Sequence, residues 1–230
     1  MKRIVTSLLF ISIALAALYA ALHRVRSDES SDGDGLLAAG EYLISAYDNI
    51  MRTIGEEEGV DWRLLSAIAH TESHFRPDVV SHRGAVGLMQ IMPNIGEHFG
   101  IAPEELDEPR KNIRAAAWLL AEIDSMVRLP DNVPQDDGLC IVLACYNGGL
   151  GHVSDARRLA RAHGENMNSW ESVSRYLSLK GDPEFYEHDV VSHGKFTGSR
   201  QTIAYVRDVM KRYKRYCRIT DEAENADAGK

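Results

Sequence analysis

The chain has 230 residues, 44% of them hydrophobic, and a formal net charge of −8 at pH 7. That length and apolar content supply one core of moderate size plus extensions. The first 26 residues hold four of the 26 Lys and Arg and no Asp or Glu, so the remainder sets 22 basic against 34 acidic residues, a formal −12, which excludes a nucleic-acid partner.

In chain order, Ile4 to Leu22 (IVTSLLFISIALAALYAAL) carries no charge and follows Lys2 and Arg3. At ~1.5 Å per residue it nearly spans the ~30 Å hydrocarbon layer of a bilayer. Residues 1–26 are therefore expected to be a signal anchor or signal peptide. A cleavage site wants small residues at two positions and Leu18-Tyr19-Ala20 offers one, which favours an uncleaved anchor with Lys2 and Arg3 in the cytoplasm and the membrane as a partner. No cysteine lies near this segment to carry a lipid. Residues 27–40, which begin SDESSDGDG, read as a flexible acidic linker.

From 41 to 219 the pattern is helical almost throughout, with few alternating runs that would argue for strands, so the fold class is mostly α. Helices are expected over 41–57 and from Asp61, a good N-cap, to about Phe75, because Pro77 disfavours helical geometry at Arg76. The loop 78–87 holds Gly84 and Gly87 and leads into LMQIMP. Pro93 suits the first position of a helix that Gly100 would close, and Asn112 suits the cap of a long helix, IRAAAWLLAEIDSMV. Further helices are expected over 136–146, broken at Asn147-Gly148-Gly149, then over 152–163, 170–179 and 200–217. The basic run KRYKRYCR at 211–218 reads as a solvated helix face, and residues 220–230 read as a disordered acidic tail. Cys140, Cys145 and Cys217 lack metal-site spacing, so no metal is expected, while a Cys145 to Cys217 bond stays open.

One residue breaks the pattern. Leu65, Ile68, Ala69 and Glu72 fall at i, i+3, i+4 and i+7, so the apolar face of the second helix ends in a carboxylate. Burial raises a carboxyl pKa, and a raised pKa is what a general acid needs near neutral pH. Taken alone, such a Glu is more often structural or solvent-facing.

Four segments then occur in order: ESHF (72–75), GLMQIMP (87–93), CYNGG (145–149) and AYV (204–206). Together they resemble the SLT-type lytic transglycosylases, whose catalytic domain is similar to that of goose-type lysozyme, over about residues 42–216. The segments DWRLLSAIAHTES and YNGGLGHVSDARRLA further resemble the catalytic module of a membrane-bound branch of that family. The resemblance implies a lysozyme-like, all-helical catalytic domain with a substrate groove, at the periplasmic or extracytoplasmic face of the cell envelope. It implies Glu72 as the single catalytic acid and base. Ser81 and Gln90 match contacts to the sugar and its N-acetyl group, Met89 and Met92 the apolar groove lining, Tyr146 and Asn147 a pair beside the glutamate, and Tyr205 a tyrosine close to it. Ser73, next to Glu72, is carried as a further substrate contact. Without the resemblance, Ser73 reads as satisfying its helix end, the two methionines as core fillers, and Asn147 as a left-handed helix stop. Cys145 and Gly148 stand where the family usually has alanines, and Gln201 where a Glu commonly precedes the Tyr-Val pair.

The implied partner is the glycan strand of peptidoglycan, cleaved at its MurNAc-β-1,4-GlcNAc bond to leave 1,6-anhydromuramyl ends, without cofactor or metal. The motif segments offer no obvious second acid, although Asp78, six residues on, could fold back. Two other readings stay open: a lysozyme-like muramidase that uses water, and a non-catalytic peptidoglycan-binding module that recruits an envelope complex.

Overall fold

Residues 42–228 are described by the structure, a computed structural model. The expected anchor and linker lie outside the described residues. Among the described residues no helix is long and apolar enough to cross a membrane.

The elements in order are α1 (Asp48–Glu58), α2 (Trp62–Ser73), α3 (Pro93–His98), a 3-10 turn (Pro103–Glu105), α4 (Pro109–Val127), α5 (Gln135–Gly148), α6 (Leu150–Ala162), α7 (Trp170–Leu179), α8 (Pro183–Tyr186) and α9 (Ser199–Ala228). Isolated bridges Val80 to Val86 and Val86 to Ile91 are the nearest approach to a strand among the described residues.

Cys140 to Cys145 are buried without a break, so α5 is apolar all round and has to be enclosed. Helices α4, α6, α7 and α9 pack around it, while α9 also lies along α2, and α1 covers α2 and α4. Cys140, Cys145 and Cys217 are free thiols, so the Cys145 to Cys217 bond is not made.

Asp61 caps α2 as expected, accepting the Arg63 N–H at 2.9 Å, and the Tyr213 hydroxyl of α9 donates to the same carboxylate at 2.8 Å. One cap thereby fastens the start of α2 to α9. The helix expected from residue 41 begins instead at Asp48. Its carboxylate accepts the backbone N–H groups of Leu43 (2.9 Å), Ile44 (3.1 Å) and Ser45 (2.9 Å), which curls the preceding residues into a turn.

The last helix runs to Ala228, past its expected end at 217 and through most of the segment read as a disordered tail. Packing explains the difference: Thr220 is buried and its hydroxyl accepts from Arg63 Nη1 of α2 at 3.4 Å, and Asp221 pairs with the same guanidinium at 3.2 Å. A helix anchored at that point propagates cheaply, one hydrogen bond per residue added.

Asn112 is not a cap. Helix α4 starts three residues earlier at Pro109, and Asn112 is fully buried within it. Its Oδ1 accepts the Met89 N–H at 2.7 Å, and its Nδ2 donates to the carbonyls of Val86 (2.9 Å) and Leu106 (2.7 Å). One side chain thus gives partners to three main-chain groups of two loops. Gly87 has φ +78°, and a Cβ there would lie 2.6 Å from Asn112 Nδ2, so glycine is required for this close approach. Replacing Asn112 by Ala leaves those three groups buried and unpaired. We expect Asn112→Ala to lose about 2–4 kcal/mol in urea unfolding, whereas a surface control such as Lys214→Ala should stay within about 0.5 kcal/mol.

Candidate active site

The last turn of α2 carries Glu72, and the chain leaves it by an unusual route. His74 (φ +56°) and Phe75 (φ +60°) are both left-handed, in addition to the restriction that Pro77 places on Arg76. Two adjacent non-glycine residues in that region are costly, and such strain concentrates at functional sites. Ser73 holds the turn together: it is buried, its hydroxyl donates to the Ala69 carbonyl (3.1 Å) and accepts the Arg76 N–H (3.2 Å). It therefore supports the helix end and is not presented to a ligand.

Glu72 is half-buried, and burial pushes its carboxyl up to about 7 from an ordinary 4.5. The Tyr205 hydroxyl of α9 is the one group that works the other way, favouring the carboxylate. No Asp or Glu contributes to the Glu72 shift, and Asp78 is exposed. The Tyr205 hydroxyl is buried and, among the described residues, has no partner other than the Glu72 carboxyl it faces. Tyr146, at the end of α5, is the second neighbour. Its hydroxyl donates to the Met89 carbonyl at 2.8 Å. Burial, and then the Glu72 charge, hold both tyrosines well above the ordinary phenol range, so both keep their protons.

The loop 79–92 approaches from the other side. The Ser81 hydroxyl accepts the Ala85 N–H at 2.9 Å and closes a turn with Gly84. Gln90 is left-handed (φ +50°) and its Nε2 donates to the carbonyls of Val79 (3.0 Å) and Gly87 (2.9 Å). The two methionines separate. Met89 is fully buried, so its side chain is core and not groove lining, although its main chain links Asn112 to Tyr146. Met92 is 38% exposed and lines an open cleft.

That cleft, of about 830 Å³, lies between α3, α4 and the α5–α6 junction, with Gln90, Met92, Met126, Tyr146, Asn147 and Gly149 in its wall. Glu72 is outside this lining and meets it through Tyr146. Asn147 accepts the Thr202 hydroxyl at 2.9 Å and is helical; the left-handed residue that ends α5 is Gly149, at φ +89°. A Cβ on Gly148 would lie 2.9 Å from Thr202 Oγ1 and 3.2 Å from Phe196, which accounts for glycine where an alanine was the family's usual residue. Gln201 is exposed.

Sequence reasoning missed several residues here. Asn112 and Thr202 act through contacts 23 and 55 positions away, which no local pattern signals. His98 and Glu122, paired at 3.1 Å, line the cleft from helix faces that read as ordinary solvated surface.

Among known proteins, the family model described as "Transglycosylase SLT domain" matches residues 49–168. The chain is 33% identical over 181 residues to the membrane-bound lytic murein transglycosylase F of Marinobacter nauticus, covering 79% of this chain and 35% of that one. It is 35% identical over 167 residues to the protein of the same name from Alcanivorax borkumensis, covering 73% and 34%. The chain thus spans about a third of the length of these relatives. Two solved structures share the fold. An inactive mutant of the lytic transglycosylase Slt of Pseudomonas aeruginosa superposes with a TM-score of 0.51 at 22% identity, over 75% of this chain and 24% of that one. The 70 kDa soluble lytic transglycosylase of Escherichia coli gives 0.50 at 23% identity, over 74% and 24%.

The raised carboxyl has a thermodynamic signature. With a folded value near 7 and an ordinary value of 4.5, the contribution of protonated Glu72 is complete at low pH and is lost as pH rises through 7. Glu72→Gln has no charge to bury. We expect the variant to match wild type at pH 4.5 and to exceed it by up to about 3 kcal/mol at pH 8.5 in urea unfolding. A gap that does not change with pH would show that Glu72 is solvated.

Proposed function

The chain belongs to the transglycosylase SLT family, and from that premise we propose that it is a peptidoglycan lytic transglycosylase of the cell envelope, with Glu72 as its acid and base. The observation that carries the reading is a lone carboxyl, raised to about 7 by burial, between two tyrosines that stay protonated.

The reaction needs a proton delivered to the oxygen that leaves. Protonated Glu72 gives it to the glycosidic oxygen, and the bond from that oxygen to the muramyl C1 breaks. C1 acquires oxocarbenium character, which the substrate's own N-acetyl group can stabilise. Glu72, now a carboxylate, takes the proton from the muramyl C6 hydroxyl while that oxygen bonds to C1. The product is a 1,6-anhydromuramyl end, water is not consumed, and Glu72 returns to its starting state. A pKa near 7 suits a group that must act first as acid and then as base.

Tyr205 is placed to favour the carboxylate half of this cycle, through a hydroxyl with no other hydrogen-bond partner. Tyr146 connects Glu72 to the open cleft, where Gln90, Met92 and Asn147 would meet the strand. Ser81 would contribute from the turn it closes. The homologues' name supports an envelope setting, and the anchor expected in residues 1–26 would supply the attachment.

Hydrolysis by the same acid is the nearest rival, and it would require a second carboxylate to activate water. Asp78 is exposed and Glu122 is paired with His98, and neither acts on Glu72. Mass spectrometry of the soluble products from peptidoglycan separates the two. We expect wild type to release anhydromuramyl ends and Glu72→Gln to lower the rate by at least about 10³-fold with the fold intact. Reducing muramyl ends would replace the reading with a hydrolase. Equal release by the variant would overturn Glu72 as the acid.

A further inference from the structure

A second cavity, of about 620 Å³, opens on the other side of the catalytic helix. His70 lines it, two residues before Glu72 and therefore about 200° around α2 from it. Its apolar wall is Leu43, Ile44, Phe75 and Ile219, and its polar rim is Lys211, Arg212 and Arg215 from one stretch of α9. This is the basic run that read as a solvated face.

Several basic residues around them are paired, whereas Arg218, further along the run, is unpaired among the described residues but exposed and outside the cavity. Arg207 pairs with Asp208, Lys214 with Asp136, and Arg63 with Asp61 and Asp221. Lys211, Arg212 and Arg215 have no carboxylate within ion-pair distance among the described residues, in a chain that carries 34 acids against 26 bases. The one acid in the lining, Asp208, is paired with Arg207 at 2.9 Å and feels Arg212 and Lys211 only at longer range. Arg212 is also half-buried, and its Nε is enclosed without a hydrogen-bond acceptor. The field of these cations reaches into the cavity: after burial, Arg212 and Arg215 help to hold His70 below its ordinary range. Arg212 also reaches the Tyr216 hydroxyl in the lining, but among the described residues none of the three cations has a carboxylate partner, and three such cations facing one concave, partly apolar space is an arrangement that an anion completes. The volume falls in the ~300–1,000 Å³ range of small-molecule sites.

We propose that this cavity binds a small anionic ligand, a carboxylate or phosphate head carried on a short apolar body, on the face of α2 opposite Glu72. The guanidinium groups and Lys211 take the head, and Leu43, Phe75 and Ile219 receive the body. The site is separate from the catalytic cleft and does not depend on what reaction Glu72 performs.

Titration calorimetry on the full chain at low salt tests it with three probes: inorganic phosphate, the dipeptide alanyl-glutamate, and dihexanoyl phosphatidylglycerol below its micellar concentration. We expect saturable binding of one equivalent of at least one probe, tighter for a probe that has an apolar body than for phosphate. A carboxylate source predicts that the dipeptide binds best, and a phosphate source that the lipid does. Arg215→Gln should weaken binding about tenfold, the loss of one charge-assisted contact, and Arg212→Gln with Arg215→Gln should remove it. Lys214→Gln changes the same net charge on the same helix outside the cavity and should leave affinity within about twofold. Should Arg212→Gln fail to fold, Lys211→Gln with Arg215→Gln, both at exposed positions, replaces it. No saturable binding of any probe to about 10 mM, or equal weakening by Lys214→Gln, would overturn the proposal.

Discussion

Keeping one carboxyl group out of water is the constraint around which this domain is arranged. Glu72 continues the apolar stripe of α2, so the packing that buries Leu65, Ile68 and Ala69 also withdraws the carboxyl from solvent. Ionising it there costs free energy, and the group responds by holding its proton to about 7. What surrounds it must not undo that. The one side chain that contributes to its shift besides burial is a phenol, Tyr205, which has no charge to stabilise the carboxylate outright, and no basic side chain contributes. A single Arg or Lys at either tyrosine position would return the carboxyl to the acidic range and leave no general acid at neutral pH.

Such a site can only be built from elements distant in the chain, and the main chain shows how they are joined. Asn112 on α4 holds the Met89 amide, and the Met89 carbonyl in turn receives the Tyr146 hydroxyl from α5. That relay sets where Tyr146 stands beside Glu72. Gly87 and the left-handed Gln90 give the loop the shape it needs to reach Asn112, and Gln90 then ties itself back to Val79 and Gly87. From α9, the Tyr213 hydroxyl on Asp61 fixes one end of α2, and the Tyr216 hydroxyl meets His70 Nδ1 at 2.8 Å nearer the other. Tyr205 on the same helix is thereby placed against Glu72.

The helices were legible because their signals are local. The span 170–179 was read to the residue, and Asp61 was read as the cap it is, since a hydrophobic period and a capping side chain act within one or two turns. Glu72 was legible for the same reason, as a carboxylate in an apolar period. Asn112 misled because an Asn just ahead of a helical period is a good cap by propensity, while its actual partners lie on two other loops. Met89 and Met92 are three apart in a loop with no period, so nothing local says which of them enters the core. The tail reads as disordered from composition alone, and the contacts of Thr220 and Asp221 with Arg63 of α2 carry the helix through it. The motifs nominate the candidate site; the tertiary contacts decide which of their side chains line the cleft and which enter the core.

Beyond the α5–α6 junction lies a buried ion pair whose acid, Asp155, belongs to the segment YNGGLGHVSDARRLA and whose base, Lys180, belongs to none of the motifs. Lys180 and Asp155 are both fully enclosed, with Nζ and the carboxylate 2.6 Å apart. Burial alone would push the Asp155 carboxyl up, but Lys180 and the backbone N–H groups of Ser192 (3.0 Å) and His193 (2.9 Å) outweigh it and hold the group at about 2. An ion pair of this kind is weak evidence for stability, because desolvating two charges offsets most of their attraction. Its structural consequence is clearer. By gathering the 192–193 backbone onto α6, it directs the chain to Phe196, whose N–H donates to the Lys180 carbonyl at 3.1 Å and whose ring packs under Gly148. Gly148 follows Tyr146 and Asn147 at the end of α5, so an alanine there would press on Phe196 and Thr202 and displace both of those cleft-lining residues. The glycine and the buried pair are two halves of one solution: the pair brings an aromatic ring close under the helix end, and the missing side chain leaves room for it.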